Sequence, residues 1–91
     1  MKYLTPFTIS FLNALDHYRA IDKNLGRRFY DEVEEAKAKV IRFPHLGKIA
    51  NGYRYVLPKH FPYKFCYIEN LNGELAAMVL FHFKQQGLFR P

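Results

Sequence analysis

Leu25, Phe29, Val33, Ala36, Val40 and Phe43 recur in steps of three and four residues. That spacing puts them on one stripe of an α-helix, a grouping that the two-residue period of a strand cannot give. It predicts a helix from Leu25 to about Arg42. Arg27 and Asp31, Arg28 and Glu32, and Glu35 and Lys39 are opposite charges four apart, which suits the exposed side of that helix. The acidic run from Asp31 to Glu35 therefore reads as a solvated face and not as a catalytic carboxylate pair. Phe43-Pro44 closes the helix, because a residue before proline avoids helical backbone angles.

The stripe has partners on both sides in sequence. Upstream, Phe11, Ala14 or Leu15, Tyr18 and Ile21 predict a helix from about Thr8 to Ile21, with Thr8 or Ser10 as its cap. Asp22-Lys23-Asn24 reads as the turn, and Asn24 as the cap of the next helix. Downstream, His45 to Gly52 reads as a loop with Gly47 and Asn51-Gly52 as turn signals. Tyr53 to Leu57, Tyr63 to Glu69 and Leu75 to Phe83 are rich in β-branched and aromatic residues and predict three strands. Asn70 to Gly73 is a short hairpin connection, and Lys2 to Thr5 a short start strand. Two helices followed by an antiparallel meander make an α+β domain, the helical hairpin packed on a three- to four-stranded antiparallel sheet. Phe29, Val33, Ala36 and Val40 are the expected helix side of that packing. Phe65, Tyr67, Val79 and Phe81 are the expected sheet side, although the alternate set that faces in is left open by the sequence.

At 91 residues one domain, 1–91, is expected. A domain this small is marginally stable, and 9 Phe and 7 Tyr supply the apolar area it needs. The single cysteine, Cys66, excludes an internal disulfide and suits the cytoplasm. Within Phe65-Cys66-Tyr67-Ile68 it reads as a small hydrophobe. No apolar run reaches a membrane span, and the N-terminus lacks the features of a signal peptide. The net charge of +6 is uneven: residues 1–36 hold five basic and six acidic residues, residues 37–91 nine and two. The basic half suits a polyanion or an acidic protein partner.

Several short segments, in order, resemble the RelE/ParE toxin superfamily of type II toxin–antitoxin systems. They are Ala14-Leu15-Asp16-His17-Tyr18, Leu25-Gly26-Arg27-Arg28-Phe29, Ile41-Arg42-Phe43-Pro44, Gly52-Tyr53-Arg54, Phe61 to Tyr67 and Met78 to His82. Phe61-Pro62-Tyr63 is most similar to the ParE, plasmid-stabilisation branch. Two departures stand out. After His82 the chain reads Phe83-Lys84-Gln85-Gln86-Gly87, with only Lys84 charged, where family members often carry basic residues and a proline. The N-terminal strand is also short, which leaves a weakly paired sheet edge.

The resemblance implies a cytoplasmic growth-arresting toxin neutralised by a cognate antitoxin, an acidic segment that folds on binding as a helix in a groove or a strand on the sheet edge. The ParE branch implies a blocker of DNA gyrase. The RelE branch implies a ribosome-dependent mRNA endoribonuclease. A weakly active member that mainly binds its antitoxin is a third reading, and homo- or hetero-oligomers are open to all three. Metal-free RNA cleavage needs a base, cations on the phosphate and an acid. Arg54 is the expected phosphate clamp and His82 the proton-transfer group. Lys84 would project from the same strand face as His82 if the strand continues. The structural alternative has His82 as a hydrogen-bonded strand end and Arg54 paired with a helix carboxylate. His17, His45 and His60 lack metal-ligand spacing, so neither metal nor cofactor is expected. For a blocker, Lys84 and the tail Gln85 to Pro91, with Phe89 and Arg90, are the expected contact surface.

Overall fold

A computed structural model describes residues 1–84, so the tail from Gln85 to Pro91 lies outside the described residues. The elements run β1 (Lys2–Tyr3), α1 (Thr5–Ile21), α2 (Lys23–Arg42), β2 (Lys48–Ala50), β3 (Tyr53–Val56), β4 (Tyr63–Glu69) and β5 (Leu75–His82). The strands form one sheet in the order β1-β5-β4-β3-β2. β1 lies parallel to β5 and the other neighbours are antiparallel. The α+β architecture is the expected one, with five strands in a mixed sheet instead of three or four antiparallel ones.

The strand that was not expected, β2, has a local cause, and β1 is the short start strand. Asn51 and Gly52 both have positive φ, 25° and 84°, the backbone that a two-residue hairpin needs. They fold Lys48–Ala50 back onto Tyr53–Tyr55, so the region expected as loop contains a strand. β1 is only two residues long and covers β5 at Ala76 and Ala77 alone. Further along the same edge, the Leu80 N–H donates to Ser10 Oγ at 2.9 Å, while Ser10 Oγ donates to the Phe7 carbonyl at 3.0 Å. Ser10 is therefore a tie from α1 to the sheet edge and not a helix cap. α1 begins three residues earlier than expected, at Thr5 with Leu4 as N-cap. Pro6 fits inside the first turn, where a missing N–H costs nothing.

Only Asp22 separates the helices. Its N–H closes α1 on the Tyr18 carbonyl (3.0 Å), and its carboxylate accepts from Asn24 N at 2.9 Å. Asp22, and not Asn24, is the cap, since it alone has extended backbone angles at the break. Of the stripe, Phe29, Val33, Ala36 and Val40 are buried as predicted, with Phe29 and Val40 fully enclosed, while Phe43, at the C-cap of α2, is exposed. Each large side chain enclosed in this way contributes about 1.5–3 kcal/mol.

The sheet side differs on one strand. Phe65 and Tyr67 face the helices, joined on β5 by Ala77 and Leu80. Val79 and Phe81 pair with Cys66 and Lys64, on the opposite face. The cause is a bulge: Cys66 pairs with Val79 but Tyr67 pairs with Ala77, so Met78 is an extra residue that reverses the alternation.

Candidate functional site

The helix-facing side of the sheet carries polar residues at two ends. At one end, Arg54 on β3 stands opposite Tyr67 on β4. The fully buried ring of Tyr67 reaches the loop after α2. Its hydroxyl donates to the Pro44 carbonyl at 2.8 Å and accepts the Gly47 N–H at 3.0 Å. Arg54 Nη1 donates to the carbonyls of Gly47 (3.0 Å) and His45 (3.4 Å). Gly47 is required here, because a Cβ would lie 2.6 Å from the Tyr67 hydroxyl and 2.9 Å from the Tyr55 carbonyl. His45 Nε2 lies 3.2 Å from the Glu69 carboxylate. Arg54 is thus bound to loop carbonyls, and not to a helix carboxylate.

At the other end, His82 closes β5 opposite Tyr63, with its ring edge-on at 4.9 Å between centroids. Its Nδ1 accepts the Lys84 N–H at 3.0 Å, which leaves the ring proton of the neutral form on Nε2. Burial, with the positive charges of Lys84 and His17, holds the imidazole below its ordinary value of 6.5. The ring is therefore neutral at neutral pH and suited to accepting a proton. His82 lines an open cleft of about 720 Å³ whose other wall is α1, with Ser10, Asn13 and His17. Burial and the neighbouring Tyr18 push the Tyr63 hydroxyl up to about 12.

The three expected catalytic residues do not meet at one point. His82 and Lys84 are adjacent, but the strand ends at His82, so Lys84 does not project from a continued strand face. Arg54 lies across β4 and four residues along from His82. Strand rise and spacing put their Cα atoms about 16 Å apart. The sequence reading missed His17, which joins His82 only because α1 crosses β5. It also missed Glu32. That carboxylate accepts the His60 N–H at 2.8 Å and lies 2.7 Å from His60 Nδ1, pinning the β3–β4 loop to α2. Burial alone would raise the Glu32 carboxyl, but the hydrogen bonds from His60 and the charges of His60 and Arg28 outweigh it and hold it below 4.5. One member of the acidic run is therefore an anchor and not a solvated residue. Burial pushes the Cys66 thiol up to about 11, out of the nucleophilic range. Among the described residues no cluster of three or more His, Cys, Asp or Glu side chains could hold a metal ion, and no helix is long and apolar enough to cross a membrane.

No family model matches the sequence, and no curated protein does. A solved structure does match: a chain of the chromosomal ParDE TA system from P. aeruginosa superposes with a TM-score of 0.73 at 15% identity, over 89% of this chain and 91% of that one. At that identity the match is evidence of architecture. The segments that resemble RelE/ParE toxins and the superposition agree, and the chain has the RelE/ParE fold.

Proposed function

We propose that this chain is the toxin of a type II toxin–antitoxin pair, acting as a ParE-like blocker of DNA gyrase and neutralised by a cognate antitoxin. The observation that carries the blocker reading is the place of Arg54. Its guanidinium is engaged by the Gly47 and His45 carbonyls, and its Cα lies about 16 Å from that of His82 by strand geometry. Cutting RNA needs the cation and the proton-transfer group on the same phosphate. A blocker needs only a surface. The antitoxin would be acidic, and the basic half of the chain suits such a partner.

The ribosome-dependent endoribonuclease reading keeps one observation in its favour. His82 is neutral, lines an open cleft with His17, and has Lys84 beside it. In that reading His82 takes the 2′-OH proton, while Lys84 and Arg54 stabilise the phosphate. Growth arrest combined with primer extension on translated messages separates the two, for wild type and His82→Ala. The proposal expects arrest with intact messages in both. New cuts that vanish with His82→Ala would overturn it. Co-expression that recovers no small acidic partner from the neighbouring reading frame would count against the antitoxin.

A further inference from the structure

The tip of the helical hairpin leaves cations with little to do inside the protein. Arg19, Lys23 and Arg27 follow one another at steps of four across the Asp22 break, and with Asn24, Tyr30 and Asp31 they line an open concave surface of about 740 Å³. Elsewhere the cations are mostly engaged. Lys37 pairs with Glu34, Lys39 and Lys59 with Glu35, Lys2 with Glu74, and Arg54 with loop carbonyls. Among the described residues Arg19 and Lys23 have no carboxylate within 4.0 Å, and Arg27 reaches Asp31 only at 4.0 Å with both side chains mostly exposed. Lys23 and Arg27, like charges four apart on α2, repel. The fold tolerates that repulsion and also fixes one of the three. Gly26 is buried against Arg19, where a Cβ would lie 2.4 Å from Arg19 Cγ and 3.1 Å from its Cα. The absence of a side chain at Gly26 lets the Arg19 stem cross onto the first turn of α2.

We propose that this tip is a nucleic-acid contact, with Arg19, Lys23 and Arg27 gripping the phosphodiester backbone. The lining decides between polyanions. An acidic peptide that folds on a protein needs apolar anchors in a groove, and this surface has no aliphatic side chain. A row of two guanidinium forks and an ammonium suits successive phosphates. Tyr30, 43% exposed, offers a ring at the border. The contact uses neither Arg54 nor His82, so it stands or falls apart from the toxin reading.

The test is the salt dependence of binding to a short labelled DNA duplex, followed by fluorescence anisotropy on the full chain. Each phosphate contact adds close to one unit to the slope of log affinity against log salt. Arg19→Ala/Lys23→Ala/Arg27→Ala should lower that slope by about three units and weaken binding more than tenfold at low salt. A control with the same loss of charge, Lys2→Ala/Lys39→Ala/Lys59→Ala, should change it far less. Equal loss in the two variants, or none in the first, would overturn the assignment. So would displacement of the duplex by polyglutamate at equal charge, which would make the surface a protein-binding one. Lys23→Gln alone removes one exposed cation and should still lower the slope by about one unit, which keeps the test valid if the triple variant fails to fold.

Discussion

At the β2–β3 end of the sheet, Tyr67 and Arg54 spend their polar atoms on the chain's own backbone, holding the carbonyls of Pro44, His45 and Gly47 and the N–H of Gly47. At the end of β5, Tyr63 and His82 occupy the same helix-facing side, yet they border an open cleft. The first end is closed because a loop must pass there between α2 and β2, and its backbone groups cannot go unsatisfied. At the second end the β5 edge lies beyond the reach of the two-residue β1. Two residues singled out by their chemistry thus have different settings, Arg54 tied to loop carbonyls and His82 lining a cleft.

The largest test of that contrast is Tyr67. Tyr67→Ala should cost about 3–5 kcal/mol or abolish folding, since it empties a fully enclosed ring site. Tyr67→Phe keeps the ring and should cost about 1–3 kcal/mol by leaving the Gly47 N–H and Pro44 carbonyl without their partner. Urea unfolding reads both, and a Tyr67→Phe variant as stable as wild type would break the account of the closed end. Arg54→Ala should lower stability by about 1–2 kcal/mol, and under the proposed toxin function growth arrest should fall only in step with folded protein. His82→Ala should leave stability within about 1 kcal/mol. An Arg54→Ala protein that unfolds like wild type but has lost all toxicity would move Arg54 from the loop carbonyls to the target.

Glu32→Gln should cost about 1–2 kcal/mol at neutral pH by weakening the anchor on His60. Because the folded-state pKa of Glu32 is depressed, its contribution is complete above 4.5 and is lost as pH falls through the lower folded value. The stability gap between wild type and Glu32→Gln should therefore close in that acid window, and a gap that persists below it would show that the carboxylate charge is not what anchors the loop. The smallest effect concerns Cys66, whose thiol is buried and raised to about 11. Iodoacetamide labelling at pH 8 should be slow in the folded protein and fast in urea. Equal rates would mean that the sheet opens readily around Cys66.

The helical hairpin was legible in the sequence because its signals are local. The α2 stripe, the ion pairs four apart and the Phe43-Pro44 stop lie within one segment, and they reappear as the buried face of α2, its salt bridges and its end. β4 was legible for the same reason, its aromatic residues Tyr63, Phe65 and Tyr67 alternating within one short segment. β2 was not: it has three residues, two of them exposed, and exists because β3 is there to pair with it. The inward set on β5 needed knowledge of the extra residue at Met78, since a bulge is a relation between two strands.

The sequence by itself determined the types of the two helices and of β3, β4 and β5, the stripe that joins α2 to the sheet and the turn at Asn51-Gly52. Hydrophobic period and backbone preference act over a few residues and need no distant partner. It also singled out Arg54, His82 and Lys84 by their chemistry. Tertiary structure alone decided what surrounds them. It bound Arg54 to the loop after α2, ended β5 before Lys84, carried His17 to His82 along α1 and took Glu32 from solvent to His60. These depend on where one strand register meets another and where a helix crosses a sheet. Contacts between residues far apart in the chain are fixed by the packing of whole elements, and no short stretch of sequence contains that information.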